Sequence, residues 1–212
     1  FLNMEAYQAV GIALASDVLA SAVSAWTYGR NKNLDIKNGA VMMASVLCFT
    51  LVGSYVSSFV PNKTMGGFSM FMTLMMGIKF IVRPVMTTRE SSEQSDPKQR
   101  LIRSVVSGMA VGFICGFVGA GGGMMMLLVL TSLLGYDLKT AVGTSVFIMA
   151  FTAFTGSVSH FAIGGVGDMV CLVLCILSTL IWARIAARFA NKAEPAVLNR
   201  ATGVVLTVLG VV

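Results

Sequence analysis

Apolar residues run through this chain in blocks of about twenty, a length that suits bilayer-crossing helices better than strands or one-sided surface helices. The first block spans about Ala6 to Tyr28, and a polar connection from Gly29 to Asn38 follows it. A second, from about Gly39 to Phe59, stops at Pro61-Asn62, a helix-ending pair. The third covers about Met65 to Val82, and others follow at about Leu101 to Leu134, Leu138 to Ile163, Met169 to Phe189 and Val197 to Val212. Between them, Thr87 to Gln99 carries Glu90, Glu93, Asp96 and Pro97 and reads as a solvated linker.

One block is cut in the middle. Gly119-Ala120-Gly121-Gly122-Gly123 interrupts an otherwise helical apolar run, and each Gly lowers helix propensity by roughly 1 kcal/mol. Open backbone at membrane depth is tolerated only where protein surrounds it or it lines a cavity. The break is therefore the first candidate for a ligand site. The arm before it, from about Arg103 to Val118, reaches some 24 Å at 1.5 Å per residue, short of a bilayer core of about 30 Å.

Composition agrees with a polytopic membrane protein: 56% of the 212 residues are hydrophobic, 11% are charged, and the mean hydropathy is +0.84. A soluble globular domain departs far from these values. The net charge of +6 does not point to nucleic acid, because the basic residues gather in connections. Cys48, Cys115, Cys171 and Cys175 lie in apolar segments without a CxxC spacing and read as small core residues, so no metal centre or disulfide scaffold is expected.

Basic residues also set an expected topology. Arg30, Lys32 and Lys37 mark one connection, Arg83, Arg89, Lys98, Arg100 and Arg103 a second, and Arg184, Arg188, Lys192 and Arg200 a third, while Phe161 to Asp168 has none. Placing the basic connections in the cytoplasm requires the glycine-cut segment to begin and end on that side. The expectation is an all-α polytopic membrane protein with a re-entrant or discontinuous helix pair turning at Gly119 to Gly123.

Ala9-Val10-Gly11 matches Ala141-Val142-Gly143, each opening three spans, with Pro61 and Pro195 in comparable places. On the charge assignment the two copies are inverted, an architecture common among transporters. The division is residues 1–86 as first repeat, 87–99 as cytoplasmic linker and 100–212 as second repeat. Only the second copy carries a glycine-broken element, so a counterpart of roughly 30 to 40 residues is expected before the first.

The candidate site residues follow from this layout. The backbone N–H groups opening a helix after Gly119, Ala120, Gly121, Gly122 and Gly123 form an anion site that needs no basic side chain; a packing hinge is the plainer role. Thr144 and Ser145 add hydroxyls, which donate to an anion without trapping it, or simply bond between helices. Asp17, an ionisable group near the middle of the first span, should face the bundle interior and is a candidate to carry a coupling proton. His160, the sole histidine, and Tyr28, its mate by repeat offset, are gating or coupling candidates. Trp26 and Trp182 read as an interface anchor and a packing residue. No cofactor and no metal is implied, and one histidine with few buried acids leaves little for enzymatic acid–base work.

The run Gly112-Phe113-Ile114-Cys115-Gly116-Phe117-Val118-Gly119-Ala120-Gly121-Gly122-Gly123 carries a resemblance, together with Leu134-Gly135-Tyr136, Ala141-Val142-Gly143-Thr144-Ser145, Gly156, His160 and Gly164. In this order it resembles the second-half signature of the TauE/SafE sulfite exporter family. The resemblance implies a multi-pass protein of the cytoplasmic (inner) membrane that exports sulfite, sulfoacetate or related organosulfur anions, coupled to an ion gradient. It also implies that Gly119 to Gly123 and Thr144-Ser145 form half of the substrate site. The chain departs from the pattern at Leu130-Thr131, where a Pro is often seen, and at Ile12-Ala13, where a hydroxyl or amide is often found; Asp17 has no counterpart to assign. The partners expected are a small sulfur oxyanion or organosulfonate, protons and the lipid bilayer; self-association is left open. Channel-like uptake or facilitated passage of another small anion is the alternative reading.

Overall fold

The computed structural model describes residues 4–82, 97–119, 122–136, 138–190 and 195–210. Among the described residues there are eight helices and no strand: α1 (Ala6–Arg30), α2 (Ile36–Ser57), α3 (Asn62–Val82), α4 (Pro97–Val118), α5 (Gly122–Ser132), α6 (Leu138–Gly164), α7 (Met169–Ala190) and α8 (Pro195–Leu209). Six of them, α1, α2, α3, α4, α6 and α7, are long and apolar enough to cross a membrane. The linker expected at 87–99 lies outside the described residues up to 96, and α4 already begins at Pro97. Proline suits a first helical position because its missing N–H has no partner to lose there. The apolar part of α4, Leu101–Val118, has 18 residues, about 27 Å of helix and longer than the expected arm. The last helix is shorter than expected, ending at Leu209.

Helix α1 runs antiparallel along α6: Tyr7 lies against Gly164, Gly11 against His160, Leu14 against Gly156 and Tyr28 against Gly143. Small residues at these crossings let the backbones approach where lipid supplies no hydrophobic drive. The same device joins α4 to α2. Gly108, Gly112 and Gly116, four residues apart, lie on one face of α4 against Met42, Val46 and Thr50. A Cβ at Gly112 would sit 2.8 Å from Val46 Cα, so the close approach depends on its absence. Thr50 Oγ1 reinforces the crossing, donating to Val46 O at 2.8 Å with Gly112 O at 3.3 Å. Helices α3 and α8 pair antiparallel through Gly77 against Thr207 and Gly203 against Ile81.

Two apolar clusters anchor the interior. One gathers Met42, Val46, Val111, Met126, Leu130, Tyr136, Ala141 and Ile148 from α2, α4, α5, α6 and the turn before α6. The other joins Tyr7, Val10, Leu14, Met65, Cys115, Met149 and Ala153. Elsewhere large apolar side chains point outward, as expected of surfaces facing lipid tails. Trp182, read as a packing residue, is one of these, and of the four cysteines read as core only Cys115 is buried, Cys48 being exposed.

Candidate functional site

The helix breaks after α4 because Gly119 takes φ +73°, a left-handed conformation that costs a residue with a Cβ roughly 1–2 kcal/mol. Its N–H still donates to Cys115 O at 2.8 Å and closes the last turn. Ala120 and Gly121, two of the candidate residues, lie outside the described residues. Gly119 presses on Val10 of α1, while Gly122, at the start of α5, packs on Cys115 of α4 and Met149 of α6. Gly123 also faces Met149. The described residues on either side of the break thus meet three helices, and α5 opens at Gly122 with the N–H groups of its first turn unpaired within the helix.

Thr144 and Ser145 lie one turn before Met149 on α6, and both are buried. Their hydroxyls are engaged inside the protein. Thr144 Oγ1 accepts the backbone N–H of Asp35 at 3.1 Å, and Ser145 Oγ donates to Val142 O at 2.9 Å. Asp17 is half-buried on α1, accepts from Ser21 Oγ at 3.1 Å, and lies within electrostatic reach of Cys115 beside the break.

His160 is more central than its place near the end of α6 suggests, being only 1% exposed. Nε2 lies 2.9 Å from Gly116 O in the last turn of α4, and Nδ1 lies 3.2 Å from Tyr7 O in the first turn of α1. Its ring stacks at a tilt on that of Tyr7, with centroids 4.2 Å apart. Tyr28 occupies the opposite end of the α1–α6 pair, its Cβ against Gly143. The break and His160 are therefore joined through α4, whereas Tyr28 sits apart from both.

Two residues that sequence reasoning passed over belong to the Tyr28 end. Asp35, just before α2, accepts the hydroxyl of Tyr136 at 3.0 Å while its N–H binds Thr144. Tyr136 is held there by the turn closing α5: Gly135 takes φ +69° and Tyr136 N–H donates back to Leu130 O at 2.9 Å, the pattern of a glycine-terminated helix. The Leu-Gly-Tyr run was the available signal. Away from all of these, an apolar groove of about 650 Å³ opens between α1 and α6, lined by Val18, Ala22, Trp26, Phe147 and Phe151 with Arg30 at its polar end. Among the described residues, none of the candidate glycines or hydroxyls lines it.

The family model described as "Sulfite exporter TauE/SafE" matches residues 1–212. Similar proteins include the "Probable membrane transporter protein YdhB" of Bacillus subtilis (strain 168), 24% identical over 92% of this chain and 79% of that protein. The "Probable membrane transporter protein YunE" of the same organism is 27% identical over 82% of this chain and 68% of its own length. The "Probable membrane transporter protein MJ0441" of Methanocaldococcus jannaschii is 24% identical over 95% of this chain and 77% of its own. No solved structure matches. A helical membrane architecture, a glycine-cut helix and a family match over every residue lead to one assignment: the chain belongs to the TauE/SafE sulfite exporter family of membrane transporters.

Proposed function

We propose that the protein is a secondary transporter that exports small sulfur-containing anions such as sulfite or sulfoacetate across the cytoplasmic membrane, coupled to protons. The observation that carries this reading is the interruption at Gly119, where α4 ends against Val10 of α1 and α5 begins against Cys115 of α4 and Met149 of α6. A helix N-terminus there offers an oxyanion neutral N–H donors and a favourable dipole without a fixed positive charge. An anion held this way can also leave, as transport demands.

An inverted-repeat arrangement accounts for the helix neighbours. With α1, α2 and α3 matched to α6, α7 and α8, the contact of α2 with α6 has its counterpart in α1 with α7. Gly11 and Gly143 then occupy equivalent crossings. Rocking one repeat against the other would open the break alternately to the two sides. In this reading α4 and α5 form the discontinuous pair, and Asp17 carries the coupling proton.

The test is sulfite-driven proton flux in proteoliposomes holding the full-length protein, with sulfate, sulfoacetate and thiosulfate run in parallel. Saturable, anion-selective flux that follows the pH gradient is the expected result. Passage of labelled anion without proton movement would instead establish facilitated, channel-like uptake. Within this framework Ser145→Ala is the cleanest site variant, since among the described residues its hydroxyl bonds within its own helix turn. It should weaken sulfite affinity with little loss of stability, and unchanged affinity by calorimetry removes Ser145 from the site. Asp17→Asn should leave anion binding but abolish coupled proton flux.

A further inference from the structure

Both ring nitrogens of His160 face carbonyl oxygens, Tyr7 O at 3.2 Å and Gly116 O at 2.9 Å. A carbonyl only accepts. A neutral imidazole carries a single N–H, so it can serve one of these oxygens while its other nitrogen presents a lone pair to the second. Only the imidazolium makes both bonds. Burial opposes that charge, and the two carbonyls favour it. The site is therefore built so that one proton decides whether one bond or two is made.

The two oxygens belong to different helices, which gives the choice a mechanical meaning. Tyr7 O lies in the first turn of α1, and Gly116 O lies three residues before the Gly119 turn in the last turn of α4. We propose that His160 is a proton-binding clasp. Protonated, it fastens α4 beside the glycine break to α1; deprotonated, it releases one of the two. This deepens the proton-coupled reading above, on which its role in transport rests, and places a proton at the edge of the candidate anion site.

The surroundings leave His160 to respond largely by itself. From α1 it meets Tyr7, whose hydroxyl is turned to Ser54 O at 3.2 Å and Ser54 Oγ at 3.3 Å. From α4 the neighbouring titratable group is Cys115, directed at Gly122, with Asp17 of α1 within electrostatic reach of that sulfur. Helix α2 contributes the hydroxyls of Ser54 and Thr50, α5 contains no titratable side chain, and on α6 itself Lys139 lies at the far end. Asp17, six residues beyond the Gly11 that packs on His160, is about 9 Å further along α1.

The sole histidine makes a direct test practical. The untagged full-length protein, labelled with ¹⁵N-histidine in lipid nanodiscs, is titrated by NMR from about pH 5 to about pH 8. Two ring N–H groups are expected at the acid end and one at the alkaline end. In parallel, amide hydrogen exchange is followed in the last turn of α4 and the first turn of α1, corrected for the intrinsic pH dependence; one of the two should rise by about tenfold as the proton leaves, the equivalent of one hydrogen bond. In His160→Gln the corrected exchange should be flat with pH. One unchanging protonation state across the range, or exchange that ignores the titration, overturns the proposal. Neither readout uses substrate. If sulfite flux proves independent of the pH gradient while His160 titrates and one of the two turns responds, the proton site stands and the coupled-transport reading falls.

Discussion

The two ends of the α1–α6 pair each bring a glycine to the crossing and close it with opposite chemistry. At one end Gly143 admits Asn33 O and Tyr28, and the tie is made by Asp35, between the backbone-accepting hydroxyl of Thr144 and the donating hydroxyl of Tyr136. At the other end Gly11 admits Phe161 and His160, and the tie is an imidazole between two carbonyls. The Asp35 carboxylate accepts the hydroxyl of Tyr136 while its backbone N–H donates to that of Thr144, so the first end is tied by protein partners. An imidazole between acceptors is short of a proton whenever it is neutral. The difference teaches that the glycine crossings of one helix pair can be made rigid or responsive by the side chain set beside them.

Replacing the two glycines breaks the comparison most strongly. A Cβ at residue 143 runs into the carbonyl of Asn33, which is backbone and cannot swing away. Gly143→Ala should destabilise the protein by about 3 kcal/mol, the upper part of the overpacking range. A Cβ at residue 11 meets the edge of the Phe161 ring at 2.9 Å, and a ring can rotate or shift. Gly11→Ala should cost only about 1 kcal/mol. Thermal unfolding in one detergent reads both, and equal losses would show that the ends are equally rigid.

The next effect concerns the carboxylate tie. Tyr136→Phe removes a donor to Asp35 Oδ2 but keeps the ring in its apolar cluster with Met42, Met126 and Leu130. Bonds to charged groups fall near 1.5–3 kcal/mol, but Asp35 is only partly buried and water can take the vacated place. A loss of about 1 kcal/mol is expected, with no change in the ¹⁵N titration of His160. A shifted titration would mean that the two ends are coupled along α1 and α6.

How far the sequence could be read differs between these ends for a physical reason. The interruption at Gly119 and the stop at Pro61 were legible because glycine and proline act locally on the backbone. The start of α4 was missed because Pro97 follows a run rich in charged and polar residues and the same residue can open a helix as well as end one. Thr144 and Ser145 were legible as buried hydroxyls on α6, but not what engages them. The Asp35 N–H that binds Thr144 lies 109 residues away in the chain. Asp35 itself looked like one polar residue in a short connection, and only the fold brings Tyr136 to it. His160 stood out as the sole histidine, yet its two acceptors come from α1 and α4, and no spacing within α6 announces them.

The smallest effect sharpens the comparison from the His160 side. Tyr7→Phe keeps the ring that stacks on His160 and keeps the backbone oxygen that Nδ1 approaches, since that oxygen belongs to the main chain. What it removes is a hydroxyl whose contacts to Ser54 O and Ser54 Oγ are 3.2 and 3.3 Å, at the long end for O–H bonds. Ser57 Oγ, already donating to Ser54 O at 2.8 Å, keeps that carbonyl supplied. The expected loss is therefore about 0.5 kcal/mol, below that of Tyr136→Phe, with the His160 titration and the exchange of the α4 turn unchanged. A larger loss than at Tyr136, measured by the same thermal unfolding, would place the rigid tie at the His160 end and invert the contrast. A shifted titration with an unchanged melting temperature would instead make the Tyr7 hydroxyl part of the proton site, extending the clasp through Ser54 into α2.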